Sequence, residues 1–341
     1  MDRHELESVA QALVAPGKGI LAADESVKTI TKRFEKVNIP STPETRRAYR
    51  DMLFTTAGVE AFISGVILFD ETIRQGADDG TPLAQVLAKK GIIPGIKVDT
   101  GTKPMAGFPG EQITEGLDGL RERLIEYRGL GAKFAKWRAV ITIGPGIPTA
   151  ACIQANAHAL ARYAALCQEQ GLVPIVEPEV LMDGDHTIER CEEVTAATLQ
   201  SVYAALAEQR LWLEGTLLKP NMVLSGKACP RQAGVPQVAE ATVRCLRQTV
   251  PAAVPGVVFL SGGQTAVVAT EHLNAMNAMG KQPWELSFSY GRALQDPPLQ
   301  AWKGDKANVP AAQKAFYHRS QCNGAARYGK YSQAMEAALV M

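Results

Sequence analysis

Short apolar runs alternate with helical patterns along the whole chain, and this alternation restricts the fold more than any other feature. Eight runs have the length of buried strands, at residues 20–23, 63–69, 92–98, 134–143, 172–176, 215–221, 257–260 and 286–290. Helical spacing of apolar residues occurs before, between and after them, at residues 4–15, 42–57, 82–90, 116–128, 153–167, 199–206, 238–246, 265–279 and from 310 onward. Strict alternation favours parallel strands with helices outside them, and eight units make a closed barrel. We therefore predict an α/β fold, a (β/α)8 TIM barrel with an extra N-terminal helix and a C-terminal tail.

No linker-like stretch interrupts the alternation, so we predict that residues 1–341 form a single barrel domain. Residues 310–341 would add a C-terminal helix and a flexible tail to it. A barrel of this kind takes about 250 residues, and the surplus fits these additions and longer loops. A doubly wound open sheet is the alternative fold. It would place a glycine-rich phosphate turn after its first strand, whereas Gly17-Lys18-Gly19 precedes that strand.

The overall charge and composition exclude several classes of protein. The chain has 36 basic and 35 acidic residues, a balance that argues against a nucleic-acid binder. The N-terminus does not look like a signal peptide, and no apolar run approaches the roughly 20 residues that span a bilayer. The six cysteines form no Cys-x-x-Cys pair and are typical of reduced thiols. We expect a cytoplasmic protein that does not bind nucleic acid or membranes.

Polar side chains follow the predicted strands at the point where each strand ends. They are Asp24, Asp70, Lys97, Lys136 with Arg138, Glu177 with Glu179, Lys219, Ser261 and Arg292. In a closed barrel the carboxyl ends of all strands open on one face, where active sites of this fold lie. The pattern predicts one shared polar site, although charges at loop boundaries are an alternative explanation.

Lys219 is the most unusual of these residues, because it closes the apolar run Gly215–Leu218. A buried ammonium is costly unless it is paired or neutral, and a neutral lysine can form a Schiff base with a carbonyl. A like charge about 4 Å away, at an effective dielectric of about 20, is worth about 4 kcal/mol. We therefore expect Lys136 to promote loss of the Lys219 proton, although Lys136 could instead form a salt bridge with Glu177 or Asp24.

The remaining polar strand ends suggest proton transfer and phosphate binding. Imine formation and carbon–carbon cleavage both need general acids and bases, and the carboxylates available are those of Asp24, Glu177 and Glu179. Loops after strands seven and eight of such barrels commonly bind phosphate. These loops contain Ser261-Gly262-Gly263 and Gly291-Arg292, while Lys97, Arg138 and Arg33 are candidates for a second anionic end. The five histidines never pair at ligand spacing, so we predict no metal and no cofactor.

The same residues resemble the motifs of the class I, Schiff-base fructose-bisphosphate aldolase family. Eight motifs appear in order, and they are Leu21–Ser26, Gly65–Phe69, Gly95–Asp99, Phe134–Arg138, Pro174–Glu179, Glu214–Asn221, Phe259–Gln264 and Phe288–Ala293. The resemblance implies reversible, metal-independent cleavage of fructose 1,6-bisphosphate to dihydroxyacetone phosphate and glyceraldehyde 3-phosphate, in glycolysis and gluconeogenesis. It also implies a homotetramer.

The resemblance further implies roles for individual residues. Lys219 would form the imine, Glu177 would be the acid–base group for dehydration, Lys136 would set the electrostatics, and Asp24 would take the hydroxyl proton beside the scissile bond. The residues that would bind the sugar bisphosphate are Arg33, Lys97, Arg138, Glu179, Ser261, Gly262, Gly263, Gly291, Arg292 and Thr29.

The sequence departs from animal members of the family in two places. Val27-Lys28-Thr29 stands where they carry Thr-Gly-Ser, so Lys28 replaces a glycine in a loop expected to contact phosphate. The chain ends Ala337–Met341, without the terminal tyrosine that assists proton transfer on the enamine in those members.

Two alternative functions are an imine-forming enzyme for a different sugar phosphate and a non-catalytic binding protein on a retained barrel.

Overall fold

Eight parallel strands close into a barrel, which confirms the predicted fold. In the computed structural model, which describes residues 2–337, their order around the barrel is β1-β10-β9-β8-β7-β6-β3-β2. These strands are β1 (Gly19–Ala23), β2 (Ile63–Leu68), β3 (Ile93–Lys97), β6 (Phe134–Ile141), β7 (Val173–Val180), β8 (Leu217–Leu218), β9 (Gly256–Phe259) and β10 (Glu285–Tyr290). A separate antiparallel hairpin pairs β4 (Gly101–Pro104) with β5 (Gln112–Glu115).

Helices surround the barrel and connect its strands. They are α1 (Arg3–Leu13), α2 (Val27–Glu35), α3 (Pro43–Thr55), α4 (Asp70–Ile73), α5 (Leu83–Lys89), α6 (Leu120–Gly129), α7 (Ala150–Glu169), α8 (Ile188–Glu208), α9 (Val235–Thr249), α10 (Ala266–Ala278), α11 (Arg292–Trp302), α12 (Val309–Ala326) and α13 (Ala334–Ala337). No described helix is long and apolar enough to cross a membrane. The last four residues of the predicted tail, 338–341, lie outside the described residues.

The N-terminal helix α1 closes one end of the barrel. Its residues Leu6 and Leu13 pack in one buried cluster with inward-facing strand residues such as Phe134 and Leu217. Gly95 leaves the space that the Phe134 ring occupies, because a Cβ at Gly95 would lie 2.3 Å from ring atoms. Among the described residues, the open end of the barrel is the opposite one, where the strands have their carboxyl termini and the large cavity lies.

Alternation along the strands directs polar side chains into that open end. In β6, Phe134 packs inside the barrel whereas Trp137 packs against the surrounding helices. Lys136 lies between them in sequence and therefore faces inward with Phe134. In β7 the inward residue Ile175 is followed two positions later by Glu177, which brings its carboxylate to the same end.

The structure differs from the predicted elements in several places. The predicted strand over 215–221 has only two residues in regular pairing, Leu217–Leu218, because Pro220 has no amide hydrogen for the ladder. Glu177 and Glu179 lie inside β7 rather than after it. The hairpin, α2 and α4 were not predicted. Helix α11 was also missed, since Pro297 and Pro298 lie within it and normally interrupt a helix.

Candidate active site

Three buried side chains and the partly buried Asp24 form a connected group of charges at the open end of the barrel. The Glu177 carboxylate lies between two lysines, with Oε1 3.2 Å from Lys219 Nζ and Oε2 3.1 Å from Lys136 Nζ. Lys136 Nζ also lies 2.7 Å from Asp24 Oδ2. Relative exposures of these side chains are 4% for both lysines and Glu177 and 12% for Asp24. Two cations and two carboxylates therefore alternate in one largely dry cluster.

Barrel closure brings these residues together from four strands that are distant in sequence. In the parallel pairing of β6 with β7, Lys136 lies opposite Ile175, and β8 pairs through Leu218 with Val176. Lys219 follows Leu218 directly, and its amide donates a hydrogen bond to the Val176 carbonyl. Asp24 follows the last residue of β1, across the barrel from β7. The register of the strands thus sets the spacing of the charges.

Opposite charges keep the outer members of this cluster ionised. Burial alone would raise the pKa of Asp24, but the ammonium groups of Lys136 and Lys219 outweigh it and hold that pKa below its usual range. Burial alone would lower the pKa of Lys136, but Asp24, Glu177 and Asp99 raise it above that of a free lysine. Lys136 is therefore held in its protonated form at neutral pH. Lys136 forms ion pairs with both Asp24 and Glu177, which was the alternative expectation, and Glu177 also contacts Lys219.

The loops after β9 and β10 bring two glycines close to the Arg292 guanidinium. Gly262 and Gly263 have φ of 59° and 97°, in the left-handed region that glycine adopts without strain. A Cβ on Gly263 would lie 3.3 Å from Arg292 Nη2, so the second glycine lets the arginine approach the loop. Ser261 is buried beside them. Backbone amides and a planar guanidinium suit a phosphate group.

The cations predicted for a second anionic end are all paired with carboxylates. Their partners are Glu25 for Arg33, Asp99 for Lys97 and Glu179 for Arg138. Thr29 lies nearby on α2, with its hydroxyl 3.1 Å from that of Ser26. These pairs fix the orientation of each cation, and they also reduce the net charge that each offers a ligand.

One cavity of about 970 Å³ connects all of these groups. Its lining contains the predicted site residues Asp24, Thr29, Arg33, Lys97, Lys136, Arg138, Glu177, Glu179, Lys219, Ser261, Gly262, Gly291 and Arg292. Gly263 is absent from the lining, although it lies beside Arg292. The residues predicted from separate strands therefore share one site, which combines the buried charge cluster, the glycine-containing loops beside Arg292 and a second group of cations.

Comparison with known proteins identifies the family. The family model for class-I fructose-bisphosphate aldolase matches residues 5–340. A probable fructose-bisphosphate aldolase class 1 from Xanthomonas campestris is 62% identical over 332 residues, covering 97% of this chain and 99% of the relative. A fructose-bisphosphate aldolase from Dictyostelium discoideum is 55% identical over 331 residues, 96% of this chain and 93% of the relative.

This chain belongs to the class I fructose-bisphosphate aldolase family. A solved structure of the Plasmodium falciparum aldolase, in complex with TRAP and a small-molecule inhibitor, superposes with a TM-score of 0.95 at 51% identity. That match covers 96% of this chain and 95% of the other. The chain is thus a carbon–carbon lyase on a TIM barrel, a class I aldolase of the Schiff-base type, as the motifs implied.

Several cavity residues of this aldolase were not singled out from the sequence. Ser289 lines the cavity from β10, is 1% exposed, and its hydroxyl has no hydrogen-bond partner among the described residues. Lys32 and Lys36 line the cavity from α2 together with Lys28, which drew attention only as a departure from a motif. The four-residue spacing of the lysines could have revealed them, because it places them on one helical face.

A separate group of potential metal ligands lies away from the cavity. Among the described residues, His318, Cys322 and Glu336 place one ligand atom each within 4.8 Å of one another. His318 Nδ1 has no hydrogen-bond partner among the described residues, whereas His318 Nε2 lies 2.8 Å from the Met335 carbonyl oxygen. Glu336 Oε1 accepts a hydrogen bond of 2.7 Å from the Tyr331 hydroxyl and Oε2 one of 2.6 Å from Arg319. The group therefore serves to hold the C-terminal segment against α12.

Proposed function

We propose that Lys219 is the imine-forming lysine of this aldolase, with fructose 1,6-bisphosphate as its ketose substrate. The contact between Glu177 and both lysines carries this proposal, because it joins a candidate nucleophile, a proton donor and a fixed cation within 3.2 Å. Lys219 first passes a proton to the Glu177 carboxylate, and the resulting amine adds to the C2 carbonyl and gives a carbinolamine. Glu177 then delivers a proton to the departing hydroxyl, and water leaves as the imine forms.

Asp24 carries the next proton transfer in this proposal. Its carboxylate removes the proton of the C4 hydroxyl, the C3–C4 bond breaks, and glyceraldehyde 3-phosphate leaves. The electron pair of that bond moves into the imine and leaves an enamine on Lys219. Protonation of C3 and hydrolysis of the imine then release dihydroxyacetone phosphate. Lys136 remains protonated throughout and positions the carboxylates of Asp24 and Glu177.

The substrate lies across the cavity between two phosphate-binding regions. Ser261, Gly262, Gly263, Gly291 and Arg292 bind one phosphate through amides, a hydroxyl and the guanidinium. The second region contains Arg33, Lys97, Arg138 and Thr29, and Glu179 orients Arg138 through their ion pair. The unpartnered Ser289 hydroxyl is a further hydrogen-bonding group for the substrate.

Reductive trapping tests the assignment of the imine lysine. Borohydride with dihydroxyacetone phosphate should attach one triose to the chain, and peptide mass spectrometry should place it on Lys219. Lys219→Ala should abolish both trapping and cleavage. Lys133→Ala is the matched control, because Lys133 precedes β6 at the other end of the barrel and is exposed. Trapping that survives in Lys219→Ala would disprove the assignment, and loss of cleavage with a chelator would contradict a reaction without metal.

We also propose that residues 1–341 form one domain and that the enzyme is a cytoplasmic homotetramer, like other members of its family. Sedimentation at micromolar concentration should give one species of four chains. A monomer at that concentration would contradict the proposed assembly. Limited proteolysis that yields two stable fragments would contradict the single domain, and secretion in a fractionated culture of the source cells would contradict the compartment.

A further inference from the structure

A buried histidine and a buried cysteine lie one helical turn apart on α12, outside the lining of the substrate cavity. His318 and Cys322 have the four-residue spacing that brings two side chains together on one helical face. The two histidines of the H-E-x-x-H zinc motif have the same spacing. A comparison of histidine positions alone could not reveal this pair, since its second member is a cysteine.

The separation of the two side chains fits a tetrahedral zinc ion. Zinc bonds are about 2.0–2.1 Å to a histidine nitrogen and about 2.3 Å to a cysteine sulfur. At the tetrahedral angle, two such ligand atoms lie about 3.6 Å apart. His318 Nε2 lies 3.6 Å from Cys322 Sγ. A zinc ion can therefore bind both atoms without a change in the helix.

The C-terminal segment supplies a third ligand. One carboxylate oxygen of Glu336, on α13, lies within 4.8 Å of the ligand atoms of both His318 and Cys322. Histidine nitrogen, cysteine sulfur and carboxylate oxygen are the usual ligands of zinc, and three protein ligands leave a fourth position for water. Calcium and magnesium need several oxygen ligands, whereas this group contains a single carboxylate. The ligand set therefore favours zinc.

Neighbouring donors hold the Glu336 carboxylate in place. Arg319 donates to Oε2 at 2.6 Å, and the Tyr331 hydroxyl donates to Oε1 at 2.7 Å. Arg319 is itself tied to α10, because it donates to the Thr270 hydroxyl at 2.7 Å. Each carboxylate oxygen has two lone pairs, so Glu336 can bind a cation and keep these contacts. Metal-bound carboxylates in proteins are commonly hydrogen-bonded in this way.

Two protons move when zinc binds to this group. His318 Nε2 lies 2.8 Å from the Met335 carbonyl oxygen, and since a carbonyl only accepts, Nε2 carries the ring proton. Nδ1 has no partner in the described part of the chain, so it can take that proton when Nε2 binds the metal. The Cys322 thiol loses its proton to solvent, because the thiolate is the form that binds metal. Each bound zinc ion therefore releases one proton.

We propose that His318, Cys322 and Glu336 form a zinc site that clips the C-terminal segment to α12. Two ligands come from a long helix and the third from the last described helix, so the metal cross-links the two. This cross-link adds to the contacts of Glu336 with Arg319 and Tyr331, and it restricts residues 331–337. None of the three ligands is in the described lining of the substrate cavity, so the site does not depend on the proposed cleavage reaction.

Equilibrium dialysis with zinc and absorption spectroscopy with cobalt test the site in the untagged, full-length enzyme. We expect about one zinc ion per chain, release of about one proton per ion, and a near-ultraviolet absorption band from thiolate bound to cobalt. Cys322→Ser should remove this band. Cys322→Ser, His318→Gln and Glu336→Gln should each weaken zinc binding by at least about tenfold.

Cys229→Ser and His158→Gln are the matched controls. Cys229 is another buried cysteine, His158 is an exposed histidine, and both lie outside the group, so these variants should bind zinc like the parent enzyme. Circular dichroism of each ligand variant separates loss of a ligand from loss of the fold. If either α12 variant fails to fold, Glu336→Gln still tests the site, because Glu336 lies on a short terminal helix.

Limited proteolysis tests whether the metal holds the segment. Zinc at about 100 times its dissociation constant should slow the cutting of residues 331–337 by up to about a hundredfold, since cutting requires the segment to open. Glu336→Gln should lose this protection. Absence of zinc binding, binding that Cys322→Ser and Glu336→Gln leave unchanged, or a preference for magnesium over zinc would overturn the site. An unchanged rate of cutting in the zinc-bound enzyme would overturn the clip.

Discussion

The Glu177 carboxylate should compensate the charges of both buried lysines in the cluster, and Glu177→Gln tests this directly. The substitution keeps the shape of the side chain but removes the negative charge that both buried ammonium groups contact at 3.1 and 3.2 Å. Removing one partner of a buried ion pair costs about 3–5 kcal/mol, because the other charge is left uncompensated. We therefore expect Glu177→Gln to lose that amount of unfolding free energy.

This free energy converts to a measurable change in the melting temperature. The entropy of unfolding is about 2.1 cal/mol/K per residue, which gives about 0.7 kcal/mol/K for a chain of 341 residues. The expected decrease in Tm is therefore about 4–7 °C. Scanning calorimetry should be run at one protein concentration, since association of subunits also raises Tm. Cleavage should fall by about a hundredfold to ten-thousandfold, the usual contribution of an acid–base group.

Glu169→Gln provides a matched control for this prediction. Glu169 forms an ion pair of 2.7 Å with Arg121, but both side chains are about half exposed, at 46% and 53%. Pairs of this kind contribute about 0–1 kcal/mol, so Tm should fall by no more than about 1 °C. Equal, small decreases in Tm for the two variants would refute the reasoning that Glu177 compensates two buried cations.

Three further predictions concern other parts of the molecule. Cations beside Asp24 hold its pKa below the usual range. The contribution of the Asp24 carboxylate to the free energy of unfolding is therefore complete above its unfolded-state pKa of about 3.9, and it is lost as the pH falls further. The Tm difference between the parent enzyme and Asp24→Asn should therefore be smaller at about pH 3 than at about pH 7, and an equal difference would contradict this. Gly95→Ala places a Cβ 2.3 Å from the Phe134 ring and should lower the free energy of unfolding by about 1–3 kcal/mol. If the clash is the cause, adding Phe134→Leu should restore part of that loss. Glu336→Gln weakens the contact of 2.6 Å with the buried Arg319. Limited proteolysis should therefore cut residues 331–337 faster while the barrel stays intact. An unchanged rate of cutting would show that this contact does not hold the segment.

Local sequence patterns were sufficient to predict the fold and the strand-end residues that line its open end, whereas Ser289, Lys32 and Lys36 in the same lining were missed. The helix predicted over 42–57 is confirmed as α3, and the Thr42 side chain at its start accepts a hydrogen bond from the Thr45 amide. Lys136 was assigned to the polar strand ends that meet at one face of a closed barrel, and it lies in the cavity lining at that face. Strand count and strand-end polarity then predicted one site. Each of these inferences depends on neighbours within a few positions, which the sequence lists directly.

Which charges compensate one another was decided only by the tertiary structure. The Glu25 carboxylate contacts both Arg33 and Arg50, and Asp99 contacts Lys97, whereas the sequence offered many equivalent partners for each. The same limit applied to Lys219, whose contact with Glu177 bridges to a second lysine. Ion pairing depends on distances of a few ångströms between residues far apart in the chain, and barrel closure and strand register set those distances. The sequence therefore determined which functional groups the site contains, and the closed barrel determined which of their charges remain free for the substrate.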